Sequence, residues 1–329
     1  MGTFLNDISV KSNALLKKKG KNAGKLLYSV FRLAFLISVG FVVIYPLFYM
    51  IVTSLESNTA FLNSTRVWIP NNFDIVNNYK MAMKCLDFKN AAISTLKNEI
   101  VAAFLQVASC SVAAYGFARF EFKGKKIKTA LLFLTIILPD MMLLIPRMAN
   151  YSKLDILGVF GLLNRLTGID LRLNILNSVW TFWVPSMFGV GLKSGILIYI
   201  YIQFFKGLPR ELEEAAWVDG SGPVRTFLSI AMPSSGVVII TVTLFSLIWH
   251  WNDFVLSSIY LSDGYPLAVM LNHFEYAMNN NGYYFVPKQP ETMAYVMAAC
   301  VLFVAPMLII YMILQRWFIE SIDRIGITG

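Results

Sequence analysis

Six stretches of this chain are long and apolar enough to read as membrane spans. They cover about Leu33–Ser54, Ile100–Phe117, Ile127–Met148, Ser178–Phe205, Pro233–Leu261 and Met293–Phe318. A helix of about 20 apolar residues crosses a hydrocarbon core roughly 30 Å thick. In lipid every backbone polar group must be bonded internally, which leaves helices or a closed barrel. No stretch alternates apolar and polar residues as barrel strands do, so the expectation is an all-α membrane protein with about six transmembrane helices. The composition agrees: 57% of the 329 residues are hydrophobic and 14% are charged, where a soluble domain carries about 25% charged residues.

The formal net charge of +9 is unevenly distributed. Lys11, Lys17, Lys18, Lys19, Lys21 and Lys25 precede the first apolar stretch, and Arg119, Lys123, Lys125, Lys126 and Lys128 crowd one short connector. Basic residues beside spans mark the cytoplasmic side. An even number of spans puts both termini there, together with the Arg119–Lys128 connector and the loop before Pro233. Arg66, Lys80, Lys84, Lys89, Arg165 and Arg172 fall in the outer loops, with Asp74, Asp87 and Asp170 offsetting them in part. The pattern points to contact with membrane lipid rather than to nucleic acid.

The first apolar stretch is long and lacks a small-residue cleavage site, which reads as a retained span rather than a removed signal peptide. The organisation expected is a basic N-terminal segment over 1–30, one transmembrane domain over 31–320 and a short tail over 321–329, both ends cytoplasmic. Cys85, Cys110 and Cys300 have neither metal-ligand nor redox spacing. His250 and His273 are the only histidines and lack metal spacing, and no Ser-His-Asp or Cys-His arrangement can be argued.

The loop before Pro233 is sharply punctuated. Pro209 can open a helix, because its missing N–H would be unsatisfied in the first turn anyway. Glu211, Glu213 and Glu214 then occupy the positive helix end, where carboxylates are favoured. Ala215 and Ala216 are strong helix formers with a low profile. Asp219-Gly220 supplies a stop, glycine being free to take the left-handed conformation. Ser221-Gly222-Pro223 opens a second short helix. Read by this chemistry alone, the segment is a stiff helical knob or an ordinary inter-span hairpin with acidic caps.

Its spacing resembles a family pattern. Glu214-Ala215-Ala216, then Gly220, then Ile230 and Pro233 follow the EAA loop of membrane subunits in ATP-binding-cassette importers. Further segments occur in family order: Ile44-Tyr45-Pro46, the run from Ala113 to Phe120, Leu138-Pro139, Ile145-Pro146 and Gln203-Phe204-Phe205. They continue with the run from Leu208 to Ala216, Trp251-Asn252-Asp253-Phe254 and Gln315-Arg316-Trp317-Phe318. Across nearly the whole chain the set is similar to carbohydrate-importer permeases of the maltose-transporter type. Met232 stands where leucine is usual, Asp140 follows Pro139 where a small residue is commoner, and 158–177 and 275–290 are longer than is typical.

The resemblance implies a permease in a bacterial cell membrane that pairs with a homologous permease, binds an ATP-binding-cassette ATPase dimer inside, and receives sugar from an extracellular binding protein. Glu213, Glu214, Ala215, Ala216, Asp219 and Gly220 would form the coupling element, and the tail from Ser321 would reach the ATPases. No G-x-x-x-x-G-K-[ST] run is present to cradle nucleotide phosphates. ATP and Mg are therefore expected on the partner ATPase, with no cofactor on this chain and no enzyme activity of its own.

Candidates for the substrate path come from ionisable and aromatic residues within spans. Lys193 lies among Gly189, Gly191 and Gly195, where a broken helix can expose backbone groups to substrate. It either faces the path, meeting sugar hydroxyls or a carboxylate on an acidic sugar, or snorkels to the outer interface. Asp140, between Pro139 and Pro146, either accepts from sugar hydroxyls or pairs with a nearby cation. Trp251 and Asn252, with Trp249, His250 and Asp253, suit sugar or the aromatic belt at the membrane boundary. Asn98 and Glu99 read as interfacial. Two other classes fit the apolar stretches: an ion-coupled secondary transporter, which would need buried carboxylates or histidines in several spans, and a non-transporting membrane scaffold.

Overall fold

The computed structural model describes residues 2–57, 70, 72–155, 158–168, 172–280 and 292–326. Arg66, Asp170, the Tyr283-Tyr284 pair and the last three residues of the tail lie outside the described residues. The helices used below are α1 (Gly2–Leu55), α2 (Ile75–Cys85), α3 (Phe88–Arg119), α4 (Lys125–Ile137), α5 (Leu144–Ser152) and α6 (Trp180–Met187). They continue with α7 (Ser194–Gly207), α8 (Glu211–Val218), α9 (Pro223–Ser234), α10 (Gly236–Trp251), α11 (Val255–Tyr260) and α12 (Met293–Gly326). Among the described residues the only extended pairings are two isolated bridges, Glu56 with Phe73 and Leu154 with Leu173.

The core forms around α3, which packs against α6, α7 and α10. Ala102, Ala103, Ala114 and Ala118 are buried along it, and such small residues let neighbouring helices approach closely where lipid removes the hydrophobic drive between them. Into that space fit Tyr201 and Phe205 of α7, Phe227 of α9 and Val242 of α10. At the other extreme, the apolar part of α1 (Tyr28–Leu55) lies along α12 and buries only Thr53 and Ser54, near its end. Its apolar side chains are left for lipid or another protein.

Three helices are each long and apolar enough to cross a membrane: Tyr28–Leu55, Phe88–Arg119 and Met293–Trp317. The number rises to five if each of two bent pairs counts as one span. The stretch expected over 127–148 turns by 106° between α4 and the Asp140–Ser152 segment. Leu138 and Pro139 are extended at that bend, as expected of a residue forced out of the helical region by a following proline. The stretch expected to begin at Pro233 begins at Gly236, because α9 runs through Pro233 and meets α10 at 82°. The stretch over 178–205 is divided into α6 and α7, of 8 and 14 residues. The interruption falls in the glycine-rich segment 189–193, where the sequence placed a break.

Candidate functional site

Helix α8 begins at Glu211, two residues after the expected Pro209, which lies outside it, with Arg210 as its N-cap. It ends where expected. Gly220 has φ +81°, its N–H meets the Trp217 carbonyl at 3.0 Å, and the Ser221 N–H meets the Ala216 carbonyl at 2.9 Å. These are the two bonds by which a left-handed residue satisfies the last carbonyls of a helix. Pro223 then opens α9 at its first turn.

The acidic residues of α8 divide into two faces. Glu213 and Ala216 are buried, whereas Glu214, Ala215, Asp219 and Gly220 are exposed. Glu213 Oε1 accepts from Arg119 Nε at 2.9 Å, and both side chains are only 4% exposed. A second nitrogen of Arg119 donates to the Leu208 carbonyl at 2.8 Å. The last residue of α3 is thus bolted to the base of the knob. Beside it, Lys125 and Glu121 form an exposed pair at 2.8 Å. Hydrogen bonding from Lys125 holds the Glu121 carboxyl below the ordinary carboxylate range, but an exposed pair of this kind contributes little stability.

A buried polar chain lies near the opposite end of α3. Residues Leu96–Ile100 form a π-helical turn, a distortion that recurs at functional sites, and Glu99 is buried just inside it. The expectation that Glu99 and Asn98 are interfacial is therefore corrected: both are buried, because the extra residue in the turn rotates them toward the neighbouring helices. Glu99 accepts from Ser257 Oγ at 2.7 Å and meets His250 Nδ1 at 3.1 Å. His250 Nε2 meets Gln106 Oε1 at 2.8 Å, and Ser246 donates to the same oxygen at 3.1 Å. The Gln106 amide nitrogen donates to the Leu192 carbonyl at 2.6 Å and to Ser194 Oγ at 2.7 Å. Those acceptors fix the amide orientation, so His250 Nε2 must donate to Gln106.

The chain ends on either side of Lys193, which caps α7 in a left-handed conformation (φ +53°). Non-glycine residues hold such conformations only where the surroundings over-determine them. Here Gln106 grips the residues on both sides, and Gly191 is pressed so close to Ser186 that a Cβ would meet its Oγ at 2.8 Å. Lys193 Nζ lies 5.2 Å from the Trp249 ring centroid. It faces a cavity of about 490 Å³ whose wall also carries Asp140, Arg147, Asn150 and Tyr151.

The expected substrate-path residues part company at this point. Asp140 and Lys193 share the cavity, and Asp140 accepts from Arg147 at 3.4 Å. Trp251 points elsewhere, buried among Ala91 and Leu267 with its indole N–H donating to the Phe303 carbonyl at 3.1 Å. Asn252 is exposed and donates back to the Ile248 carbonyl at 2.7 Å, at the end of α10. No group of three or more metal-ligating side chains occurs among the described residues.

The model of the family described as "Binding-protein-dependent transport system inner membrane component" matches residues 107–324. The chain belongs to that family. The match begins in the middle of α3 and takes in the cavity, the knob and α12. The relatives include the probable ABC transporter permease protein YurM of Bacillus subtilis, 24% identical over 91% of this chain and 87% of that protein. Another is the probable starch degradation products transport system permease protein AmyC of Thermoanaerobacterium thermosulfurigenes, 23% identical over 84% and 89%. A bacterial ABC transporter involved in the import of the acidic polysaccharide alginate contains a chain of the same fold. The TM-score is 0.64, with 18% identity over 89% of this chain and 96% of that one. Members of this inner-membrane transport family are transport components, and the apolar helices described above are those of a membrane protein.

Sequence reasoning missed Glu99, Gln106 and Arg147 as parts of one locality. Gln106 carried the one usable signal, an amide inside a stretch otherwise able to sit in lipid. The π-helical turn that buries Glu99 leaves no mark in composition or spacing.

Proposed function

We propose that this chain is the permease subunit of an ATP-driven carbohydrate importer in the bacterial cell membrane. It forms the translocation path with a second, homologous permease, and an extracellular binding protein delivers the sugar. Separate ATPase subunits carry ATP and Mg and drive the cycle through α8. The observation that carries this reading is the two-faced helix: Glu213 tied to the end of α3, Glu214 and Ala215 turned outward. An exposed knob with an internal bolt suits the transfer of motion from a docked partner into the spans. Family membership and the named cargo of AmyC support the carbohydrate assignment.

In this mechanism, closure of the ATPases on ATP displaces α8 as a rigid unit, because the Gly220 turn and its two hydrogen bonds close the helix without slack. Arg119 passes the displacement to α3 and so to the core helices packed on it. Both termini and the 119–128 connector lie on the same side as the knob. The buried Glu99–His250 pair raises an ion-coupled alternative, since such transporters carry ionisable groups inside their spans. One experiment separates the two. The complex, reconstituted with its ATPase and binding protein, is expected to accumulate sugar only with ATP, and Glu214→Lys abolishes that uptake. Uptake driven by an ion gradient without the ATPase overturns the importer reading.

A further inference from the structure

We infer that the cavity facing Lys193 binds the carboxylate of an acidic carbohydrate, so that the cargo is an anionic oligosaccharide. The inference rests on the importer reading above and adds to it the charge class of the substrate.

The charge balance of the wall is the first ground. Lys128, Arg147 and Lys193 line the cavity against one carboxylate, Asp140. Asp140 holds Arg147 at 3.4 Å on a single oxygen, a long contact compared with the 2.7–2.9 Å of strong charge-assisted pairs. Lys128 sits 5.2 Å from the Phe122 ring centroid and Lys193 sits 5.2 Å from that of Trp249. Asp253 lies behind the wall, beside a void of about 30 Å³ that it shares with His250, Arg147 and Tyr151. It binds the Leu256 N–H at 3.1 Å and Ser257 at 3.3 Å. The accessible wall therefore keeps an excess of positive charge.

Positioning is the second ground. A snorkelling lysine needs no fixed backbone, because its flexible stem finds the interface by itself. Lys193 instead starts from a left-handed backbone gripped on both sides by Gln106, which His250 and Glu99 hold in turn. Residues of α3 and α10 thus cooperate with the turn before α7 to set where one ammonium group emerges. It emerges at the start of the 14-residue α7, whose positive end faces the same cavity and adds to the attraction for an anion. Tyr151, Thr135 and Asp140 on the same wall suit the ring faces and hydroxyls of any sugar; the three cations against one carboxylate are what favour a uronate over a neutral unit.

The test uses the whole transporter with its ATPase, second permease and binding protein in proteoliposomes. Acidic oligosaccharides from pectin, alginate and glucuronoxylan are offered beside their carboxyl-reduced counterparts, which keep the same linkages without the charge. Luminal products are read by mass spectrometry. The expected result is ATP-dependent uptake of an acidic series, at least tenfold slower uptake of its reduced form, and an increase in KM of about tenfold in Lys193→Glu. Lys193→Met gives a smaller increase in KM and serves where the charge reversal fails to assemble. The binding protein also selects cargo, so the lysine variants decide the matter. Equal uptake of charged and reduced sugars, or unchanged KM in both variants, overturns the inference and leaves the importer reading standing. ATP-driven uptake of neither series overturns both.

Discussion

Helix α3 is anchored twice, by the buried Arg119–Glu213 ion pair at its last residue and by the buried Glu99–His250 contact in its first half, and the two anchors are built differently. Glu99 and Arg119 are twenty residues apart, about 30 Å at 1.5 Å per residue. At one anchor, Arg119 has two short bonds, to Glu213 and to the Leu208 carbonyl, both within the loop that carries α8. At the other, Glu99 enters a chain through His250 and Gln106 to the turn at Lys193, with Ser246 and Ser257 donating from the side. The first is a single rigid bolt. The second contains hydroxyls that can rotate to other acceptors, so it can hold the cavity turn while tolerating small movements. A knob that must transmit displacement calls for the former, and a wall that must admit and release cargo suits the latter.

Removing one partner of the bolt gives the largest expected effect. Arg119→Ala leaves the Glu213 carboxylate buried and unpaired, and losing one member of a buried ion pair costs about 3–5 kcal/mol. Thermal unfolding of the purified complex is the measurement, and a loss below about 1 kcal/mol would mean that water reaches Glu213. Gln106→Leu breaks the second anchor more gently. It strands His250 Nε2 and the Leu192 carbonyl, each worth about 1–3 kcal/mol as a buried unsatisfied group. The same unfolding measurement reads it, and relaxation of the Lys193 turn makes the lower end of that range the expectation.

The contrast between the two anchors is also a contrast in what the sequence reveals. The knob was legible because its signals are local: Pro223, the acidic first turn and Gly220 each act within four residues, and the turn bonds at Gly220 confirm the stop. The apolar stretches were legible as helices by length, but not the 106° and 82° bends, which depend on how neighbouring helices pack. The break before α7 was visible in Gly189 and Gly191. The second anchor was not, because Glu99 and His250 meet across 151 residues of sequence and a π-helical turn sets their facing. Trp251 was open between a sugar contact and the aromatic belt; its ring packs against α12, where Phe303 accepts its N–H, a contact across 52 residues that no local signal announces.

The central claim is that Glu213 ties the outward face of α8 to α3, and a paired substitution isolates it from stability. Arg119→Gln with Glu213→Gln removes both charges and keeps similar side-chain size, a change that leaves folding nearly neutral because no charge is stranded. The decisive measurement is ATP hydrolysis and sugar uptake in the same reconstituted complex. The account predicts an assembled complex that still hydrolyses ATP while uptake falls by about tenfold, a coupling loss on the order of 1.4 kcal/mol. Uptake and hydrolysis both at the level of the unaltered complex would contradict it.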